Sequence, residues 1–447
     1  MSAGSIAHWV LANEARALLT RLERVKPFML HMPMVTAAAI SPVAQTAIEN
    51  HMIKGRAKLR ALVRDFLRWL EGAEGQRQSP AEAQRRFTFV RLRFNGVLTQ
   101  FDIFADVLTQ RSAHEIGVWV AGLDDVAADA LELPGYYKAP PVICYLDRGH
   151  GAAIRRARTR LPGGDLTPVA IIRVPRERMV GSGIASSLVH EVGHQAAVLL
   201  DLMNSLRPVL RGMQRKGGSE QVAWTLWERW ISEIVPDFWA VAKIGVAATT
   251  GLMGVVSLPR AFVFRIDIED PHPFPWIRVN LSCAMGGTLY PHPQWEAWAA
   301  LWKSFYPTDG LDGQRLRLLA TLEATLPAFV SLLVNHRPKA LRGKSLMEVL
   351  AVEERQPERL RAYYRAWGTS PDRMGNAPPT LAFAVIGQAR ADGGLTPEEE
   401  SNTLANLLTY WAGRSALDIS ALCATQPIPR WRQPTSWLHT KQPIVLN

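Results

Sequence analysis

Apolar residues recur every three or four positions through the first third of the chain. One such stripe lies within residues 59–70 and a second within residues 94–108. A repeat of this period places apolar side chains on one face of an α-helix. Ahead of the second stripe, Ser79 is followed by a proline and, three residues on, by Glu82, which is the sequence of a capping box with proline at the first helical position. The sequence therefore predicts a helical N-terminal region over residues 1–132.

The pattern changes from residue 133 onward. Apolar runs at residues 142–146 and 169–174 indicate two strands, the first preceded and the second followed by proline. Between them we expect a helix at about residues 152–160. A longer helix is expected at residues 184–203, where the apolar positions fall on one side.

Helical periodicity returns in the last third of the chain. Residues 209–218 are basic and contain glycine, so a loop is expected there, and Ser219 is expected to cap a helix rich in tryptophan. Residues 311–423 again show apolar positions at helical spacing, and a tail rich in proline and tryptophan begins at Gln426. These features predict a helical C-terminal region with an extended tail over residues 311–447.

The composition is that of a folded protein with a large core. The chain has 447 residues, of which 48% are hydrophobic and 20% charged, which excludes a largely disordered protein. Helices at both ends and a few strands between them predict an α+β fold that is predominantly helical. In this fold, residues 133–310 form a central domain with a small sheet.

The net charge of +11 is spread along the whole sequence. Dispersed basic residues are typical of a solvated surface, and no zinc finger, aromatic RNA motif or basic tail accompanies them. We therefore expect no specific nucleic-acid binding. A partner with an acidic surface is possible, because it would be attracted by this net positive charge.

Three cysteines, Cys144, Cys283 and Cys423, are far apart and odd in number, so they indicate no disulfide framework. Residues 1–19 lack the pattern of a signal peptide. Both features predict a cytoplasmic protein. Residues 238–258 are apolar, but they include a lysine and many small residues, so a buried helix and loop are expected there and no membrane span.

The candidate chemistry lies in the helix expected at residues 184–203, which contains His190, Glu191 and His194. Residues four apart share one face of an α-helix, so both imidazoles can reach one metal ion. Glu191 lies one position round the helix, within reach of a water on that metal. His-Glu-x-x-His on a helix is the arrangement of zinc hydrolases, with two histidine ligands and a carboxylate general base.

A catalytic zinc site needs a third protein ligand. The metzincin arrangement is excluded, because the positions that it requires to be glycine and histidine are Ala197 and Leu200. Another common solution is a glutamate on a later helix, followed four residues on by an aspartate. Glu233 and Asp237 have this spacing, among apolar neighbours that favour burial. Glu228 is the alternative ligand, although the residue four positions after it is a serine.

This combination resembles the gluzincin metallopeptidases, the thermolysin-like branch of the zincins, over roughly residues 140–300. The resemblance implies a zincin-like catalytic core around Zn²⁺, with Glu191 as the general base. It also implies that Asp237 orients a ligand histidine. The zinc ligands that it implies are His190, His194 and Glu233.

One residue of the second segment departs from the family pattern. Pro236 lies between the glutamate and the aspartate, and proline removes a helix hydrogen bond. It is tolerated near the beginning of a helix, so we expect Ser232 to be the N-cap there.

Residues that stabilise the oxyanion are expected further along the chain. His272 lies between two prolines and is followed six residues later by Arg278, an order similar to that of several zincin families. Tyr290, at the start of a second proline-rich segment, is the next candidate. The resemblance also implies that the strand at residues 169–174 pairs with an extended substrate.

The leading hypothesis is a zinc-dependent peptidase whose substrate is a peptide or protein. An endopeptidase is favoured over an aminopeptidase, because no Gly-x-Met-x-Asn sequence precedes the zinc helix. One alternative is a helical binding or scaffold protein with a structural or vestigial metal site. Another is a basic protein associated with nucleic acid, in which the motif is accidental.

Overall fold

The computed structural model describes residues 3–24, 34–148, 151–176, 181–216, 218–267 and 269–425. These residues form a predominantly helical α+β structure with eighteen α-helices and one three-stranded sheet. The predominance of helix and the small sheet between helical regions were predicted. The tail expected from Gln426 lies outside the described residues.

Five helices precede the sheet, and thirteen follow it. The first five are α1 Ala3–Arg24, α2 Pro42–Glu71, α3 Ala73–Gln76, α4 Pro80–Thr109 and α5 His114–Leu131. The strands are β1 Val142–Asp147, β2 Ala153–Arg155 and β3 Ala170–Pro175. The remaining helices are α6 Ser182–Leu199, α7 Leu202–Lys216, α8 Gln221–Ile244, α9 Val246–Val256, α10 Arg260–Val263, α11 Pro275–Leu289, α12 Gln294–Phe305, α13 Gly313–Val334, α14 Leu346–Leu350, α15 Pro357–Trp367, α16 Pro371–Gly375, α17 Pro379–Ala391 and α18 Pro397–Thr425.

Two serines begin the long N-terminal helices. Ser41 Oγ accepts a hydrogen bond from the Ala44 amide at 3.3 Å, and Ser79 Oγ accepts one from the Glu82 amide at 3.2 Å. Only the first half of the predicted capping box forms among the described contacts, because the Glu82 carboxylate pairs with Arg85 at 2.8 Å instead. The N-cap bond alone satisfies one of the free amides at the beginning of α4.

The sheet has the order β1-β3-β2, so β3 is its central strand. β1 lies parallel to β3, with Val142 opposite Ala170. β2 lies antiparallel to β3, with Ala153 opposite Arg173. Because side chains alternate along a strand, the sheet presents one face to α6 and the other to α4.

Two large hydrophobic clusters meet at this sheet. The N-terminal helices form one of them, together with Ile143 and Ile171 from the strands. The other extends from Val120 to Trp411 and includes the face of the sheet that packs against α6. It joins α6, α8 and α9 to α13 and α17, so the C-terminal helices help to bury the helices of the motif. The domain boundaries proposed from the sequence remain predictions.

The helix expected at residues 152–160 was wrong. This segment contains β2, followed by a turn in which the Ala157 amide donates to Gln195 Oε1 of α6 at 2.8 Å. Antiparallel pairing with β3 and this contact with α6 are tertiary interactions, and they override the local helical preference.

The loop expected at residues 209–218 was also wrong, because α7 continues through most of it. Leu202, Leu206 and Leu210 form its buried stripe. Ser219 does not cap the tryptophan-rich helix α8, whose N-cap residue is Glu220. The basic residues that suggested a loop lie on the solvent side of an amphipathic helix.

Helix α6 ends at Leu199, four residues before the predicted end. Asp201 follows with a φ of 53°, a left-handed conformation that does not continue a helix. The apolar segment 238–258 contains the end of α8 and all of α9, which are separated by Gly245 with a φ of 57°. The expected buried helix is therefore two helices joined by a glycine.

One described helix, α13, is long and apolar enough by length and composition to cross a membrane. Within its most apolar window, 39% of residues are buried inside the protein, and the helix packs against α8 and α11. Trp227 of α8 donates a hydrogen bond to Thr325 of this helix at 3.0 Å. α13 therefore has the packing and polar contacts of a core helix on one of its sides.

Candidate metal and catalytic site

The motif histidines lie on one face of α6, as the helical spacing predicts. The ring centroids of His190 and His194 are 4.9 Å apart, and the ring planes are nearly perpendicular. Both Nε2 atoms face the same carboxylate, Glu233 of α8. The three side chains are only 11–19% exposed, and His190 lines a cleft.

The ligand atoms of the three side chains lie close enough together to hold one metal ion. Glu233 Oε2 lies 3.4 Å from His190 Nε2 and 3.3 Å from His194 Nε2, and all three ligand atoms lie within 4.8 Å of one another. Zinc bonds of about 2.0–2.1 Å in a tetrahedron separate neighbouring ligand atoms by about 3.3–3.4 Å. The contacts to Glu233 therefore have the length of a tetrahedral edge.

Glu228, the alternative third ligand, lies elsewhere on α8. Its carboxylate pairs with Arg211 at 3.2 Å and lies 3.8 Å from Arg207, both on α7. The structure therefore brings Glu233 to the histidines and directs Glu228 toward the basic side of α7.

Asp237 connects the cluster to a buried arginine. Its Oδ1 atom accepts a 2.7 Å hydrogen bond from Nδ1 of His190, which leaves Nε2 on the side of Glu233. Arg278 of α11 donates from Nε to Oδ2 at 2.7 Å and from Nη2 to Oδ1 at 2.9 Å. These two hydrogen bonds restrain rotation of the carboxylate that orients the His190 ring.

The electrostatics of the group follow from these contacts. Burial acts to raise the pKa of Asp237, but Arg278 and His190 hold that pKa well below its usual range. Burial acts to lower the pKa of His190, yet Asp237 raises it to about 9. The pKa of Glu233 is also strongly lowered, because hydrogen bonds from three histidines outweigh its burial. Glu233 and Asp237 are thus both ionised, as a cation site requires.

The third histidine beside Glu233 is His272. Its Nε2 lies 3.1 Å from Glu233 Oε2, while Asp270 Oδ1 accepts from both its backbone amide and Nδ1, at 2.9 and 2.8 Å. His272 does not belong to the mutually close group formed by the other three ligand atoms. Its side chain is 43% exposed, so it borders the cleft above the cluster.

Glu191 lines the same cleft, which has a volume of about 230 Å³. It is 8% exposed, and its carboxylate has no hydrogen bond or ion pair with another described residue. Ser186 and Leu252 also line this space, as do His190 and His272. A carboxylate without a protein partner is free to accept a proton from a molecule held there.

Two of the sequence-based candidates for oxyanion stabilisation lie elsewhere or are already paired. The Tyr290 hydroxyl is buried away from the cleft, where it donates to the carbonyl oxygens of Ala242 at 2.6 Å and Leu350 at 3.3 Å. Tyr290 therefore joins α8 to the C-terminal helices, and its assignment as a catalytic residue was wrong. Arg278 lines the cleft, but its guanidinium is committed to Asp237. Of the three candidates, His272 lines the cleft and contacts the cluster, with Nε2 3.1 Å from Glu233 Oε2.

The helix that carries Glu233 differs from the one expected. α8 begins at Gln221, so Pro236 lies in its interior and Ser232 is not an N-cap. Proline cannot donate a backbone hydrogen bond, so the helix lacks one bond beside the site. The sequence-based placement of Pro236 near a helix start was wrong.

The expected substrate strand was wrong as well. Residues 169–174 largely coincide with β3, which is paired on both sides and has no free edge. The edge strand near the cleft is β2, and Gly151 and Ala152 directly before it line the cleft. Sequence reasoning missed β2 because a strand of three residues has too short an alternation to be recognised.

Comparison with protein-family models, with curated proteins and with solved structures gives no match for this chain.

Proposed function

We propose that this protein is a zinc-dependent peptidase of the gluzincin type. The observation that carries the proposal is the convergence of His190 Nε2 and His194 Nε2 on Glu233 Oε2, at 3.4 and 3.3 Å. The His190 ring, oriented by Asp237, and the Glu191 carboxylate, which has no partner among the described residues, add support. Histidine nitrogen and carboxylate oxygen in a cluster with one open side form the donor set of a catalytic zinc site.

The ion supplies a lowered pKa for a water molecule and polarisation of the substrate carbonyl. Glu191 acts as the general base, because its carboxylate faces the cleft and makes no competing contact with another described residue. It accepts the proton as the carbonyl is attacked and passes it to the leaving amine. Asp237 keeps the His190 ring oriented throughout, since Arg278 prevents the carboxylate from rotating.

His272 is the donor to the oxyanion in this proposal. Its Nδ1 is held by Asp270 and its Nε2 lies 3.1 Å from Glu233 Oε2, so the ring is oriented beside the cluster before substrate arrives. Preorganised donors stabilise a developing charge without reorganising during the reaction.

The substrate is an extended peptide, which pairs with the outer edge of β2. This edge has no strand beside it among the described residues, and the chain directly before β2 lines the cleft. Added strands gain affinity from backbone hydrogen bonds, so sequence preference would come from the cleft walls.

The test combines metal analysis with cleavage of a complex peptide mixture, measured by mass spectrometry on wild type and Glu191→Gln. We expect one zinc per chain in both proteins and cleavage by the wild type alone. Peptides with blocked N-termini should also be cut, because an endopeptidase does not need a free amine. Zinc without cleavage in either protein would favour a structural metal site in a binding protein. A chain that binds no zinc would overturn both proposals.

A further inference from the structure

The opposite face of the sheet contains a second cavity, separate from the zinc cleft. It has a volume of about 520 Å³ and lies between α4 and the three strands. Ile103 and Val107 of α4 and Ile171 of β3 supply apolar walls. This volume is within the range of small-molecule sites, and several times that of one amino-acid side chain.

Three arginines line this cavity: Arg155, Arg156 and Arg173. The side chains of Arg155 and Arg156 have no hydrogen bond or ion pair with another described residue. Arg173 has only long contacts, at 3.6 Å to Asp147 and 3.4 Å to the Gly151 carbonyl oxygen. Its Nε atom is buried and has no partner at all among the described residues. The guanidinium groups thus retain most of their donors.

Few acidic residues line this cavity. Asp106 is the one acidic residue among the described residues of the lining, and Asp147 lies outside it at 3.6 Å from Arg173, so positive charge is in excess at the cavity. Tyr145 and Thr159 add hydroxyl groups. Buried arginines elsewhere, such as Arg111 and Arg278, are paired with carboxylates, whereas these three converge on a concave surface with apolar walls.

We propose that this cavity binds a small organic anion, a carboxylate or phosphate ester with an apolar body. Arginine presents its donors in a planar fork that matches carboxylate and phosphate oxygens, and Arg173 needs such a partner for its buried Nε. The apolar walls fit the body of the ligand, while the Tyr145 hydroxyl can donate to it and orient it.

Nucleic acid does not suit this feature. A nucleic-acid surface is an extended basic stripe, whereas this site is a single cavity bounded by α4 on one side. The proposal also does not depend on zinc or on peptide hydrolysis, because no residue of the zinc cluster lines the cavity.

The test is isothermal titration calorimetry of the full chain with phenyl phosphate, benzoate and benzyl alcohol at millimolar concentration. We expect both anions to bind and the uncharged alcohol to bind much more weakly. In the double variant Arg155→Gln/Arg156→Gln, affinity for the anions should fall by about tenfold or more. Arg160→Gln is the matched control: it removes one nearby exposed charge that does not line the cavity. Its affinity should stay within about twofold of wild type.

Three results would overturn the proposal. One is the absence of binding by both anions. Another is equal weakening by Arg160→Gln, which would indicate diffuse attraction to a basic surface. The last is unchanged affinity in the double variant with its thermal unfolding intact, which would place any binding elsewhere.

Discussion

Gly193 of α6 and Pro236 of α8 are in direct backbone contact. A Cβ atom at residue 193 would lie 2.6 Å from the Cα atom of Pro236, closer than real Cβ atoms approach other heavy atoms. Gly193 directly precedes His194, and Pro236 lies between Glu233 and Asp237. The absence of a side chain at residue 193 therefore permits the approach of the two helices that carry the candidate ligands.

Gly193→Ala should push these two helices apart. This would displace the candidate ligands, although residue 193 is not itself a ligand. Overpacking of this kind costs about 1–3 kcal/mol of unfolding free energy, and the displacement should also reduce zinc content. Thermal unfolding and metal analysis measure the two effects. Gly212→Ala is the control, because its Cβ would meet nothing within 4 Å on α7 and should stabilise that helix by about 0.5–1 kcal/mol. Equal behaviour of the two variants would contradict the role assigned to the contact.

The third ligand can be tested with two glutamates of the same helix. Glu233→Gln should abolish stoichiometric zinc binding, since the amide gives a weak neutral ligand in place of a carboxylate. Glu228→Gln should retain zinc, because Glu228 pairs with Arg211 and faces away from the histidines. Metal content after dialysis against a weak chelator separates them. Retention of zinc by Glu233→Gln would exclude the proposed ligand set.

The sequence predicts the local part of this site well. His190 and His194 share a face because four residues make about one helical turn, and Glu233 and Asp237 do so for the same reason. Such spacings depend only on helix geometry, which tertiary contacts change little. That the histidine pair and the acidic pair lie close together was predicted from resemblance to a family. The distances between their atoms come from the structure alone.

The non-local parts were missed or misplaced. β2 exists because Ala153 and Arg155 pair with β3, and three residues carry no periodic signal of their own. Arg278 was considered as an oxyanion donor, but its guanidinium donates to Asp237, which is forty-one residues away in the sequence. Tyr290 is followed by a proline in the sequence, yet its hydroxyl donates to carbonyl groups of α8 and α14. Sequence patterns report residue types, whereas these partners are set by packing.

Asp237→Asn should weaken zinc binding by about 10–100-fold without removing a ligand. The amide is a poorer acceptor for Nδ1 of His190, and it no longer carries the charge that Arg278 balances. Competition with a chromogenic chelator measures the affinity. Arg278→Gln should instead destabilise the fold by about 3–5 kcal/mol, because it leaves a buried carboxylate without its cation. The assignment fails if Asp237→Asn binds zinc as tightly as wild type.

His272→Ala should lower kcat by about 100-fold or more while zinc content is retained, since it removes one donor to the oxyanion. KM should change little, because the proposed contact strengthens only in the transition state. His292→Ala is the matched control: this histidine, in the second proline-rich segment, contacts Glu358 and Arg361 and lies outside the cleft lining. Loss of zinc in His272→Ala would identify a ligand or positioning role instead.

Asp125 gives the fold a pH dependence that is independent of the metal site. Its burial raises its pKa to about 7, despite hydrogen bonds from Ser415 at 2.9 and 3.0 Å. Between about pH 4 and pH 7 the folded chain keeps a proton that the unfolded chain releases, so the free energy of unfolding decreases as pH rises through this window. Asp125→Asn should remove this loss and stabilise the protein at pH 8 by roughly 2 kcal/mol relative to wild type, with little effect at pH 4. Chemical denaturation at both pH values measures the difference.

The exposed Asp418→Asn makes the same charge change nearby and should shift the unfolding free energy by less than about 0.5 kcal/mol at either pH. An equal gain in both variants at pH 8 would attribute the effect to net charge instead of to the burial of Asp125.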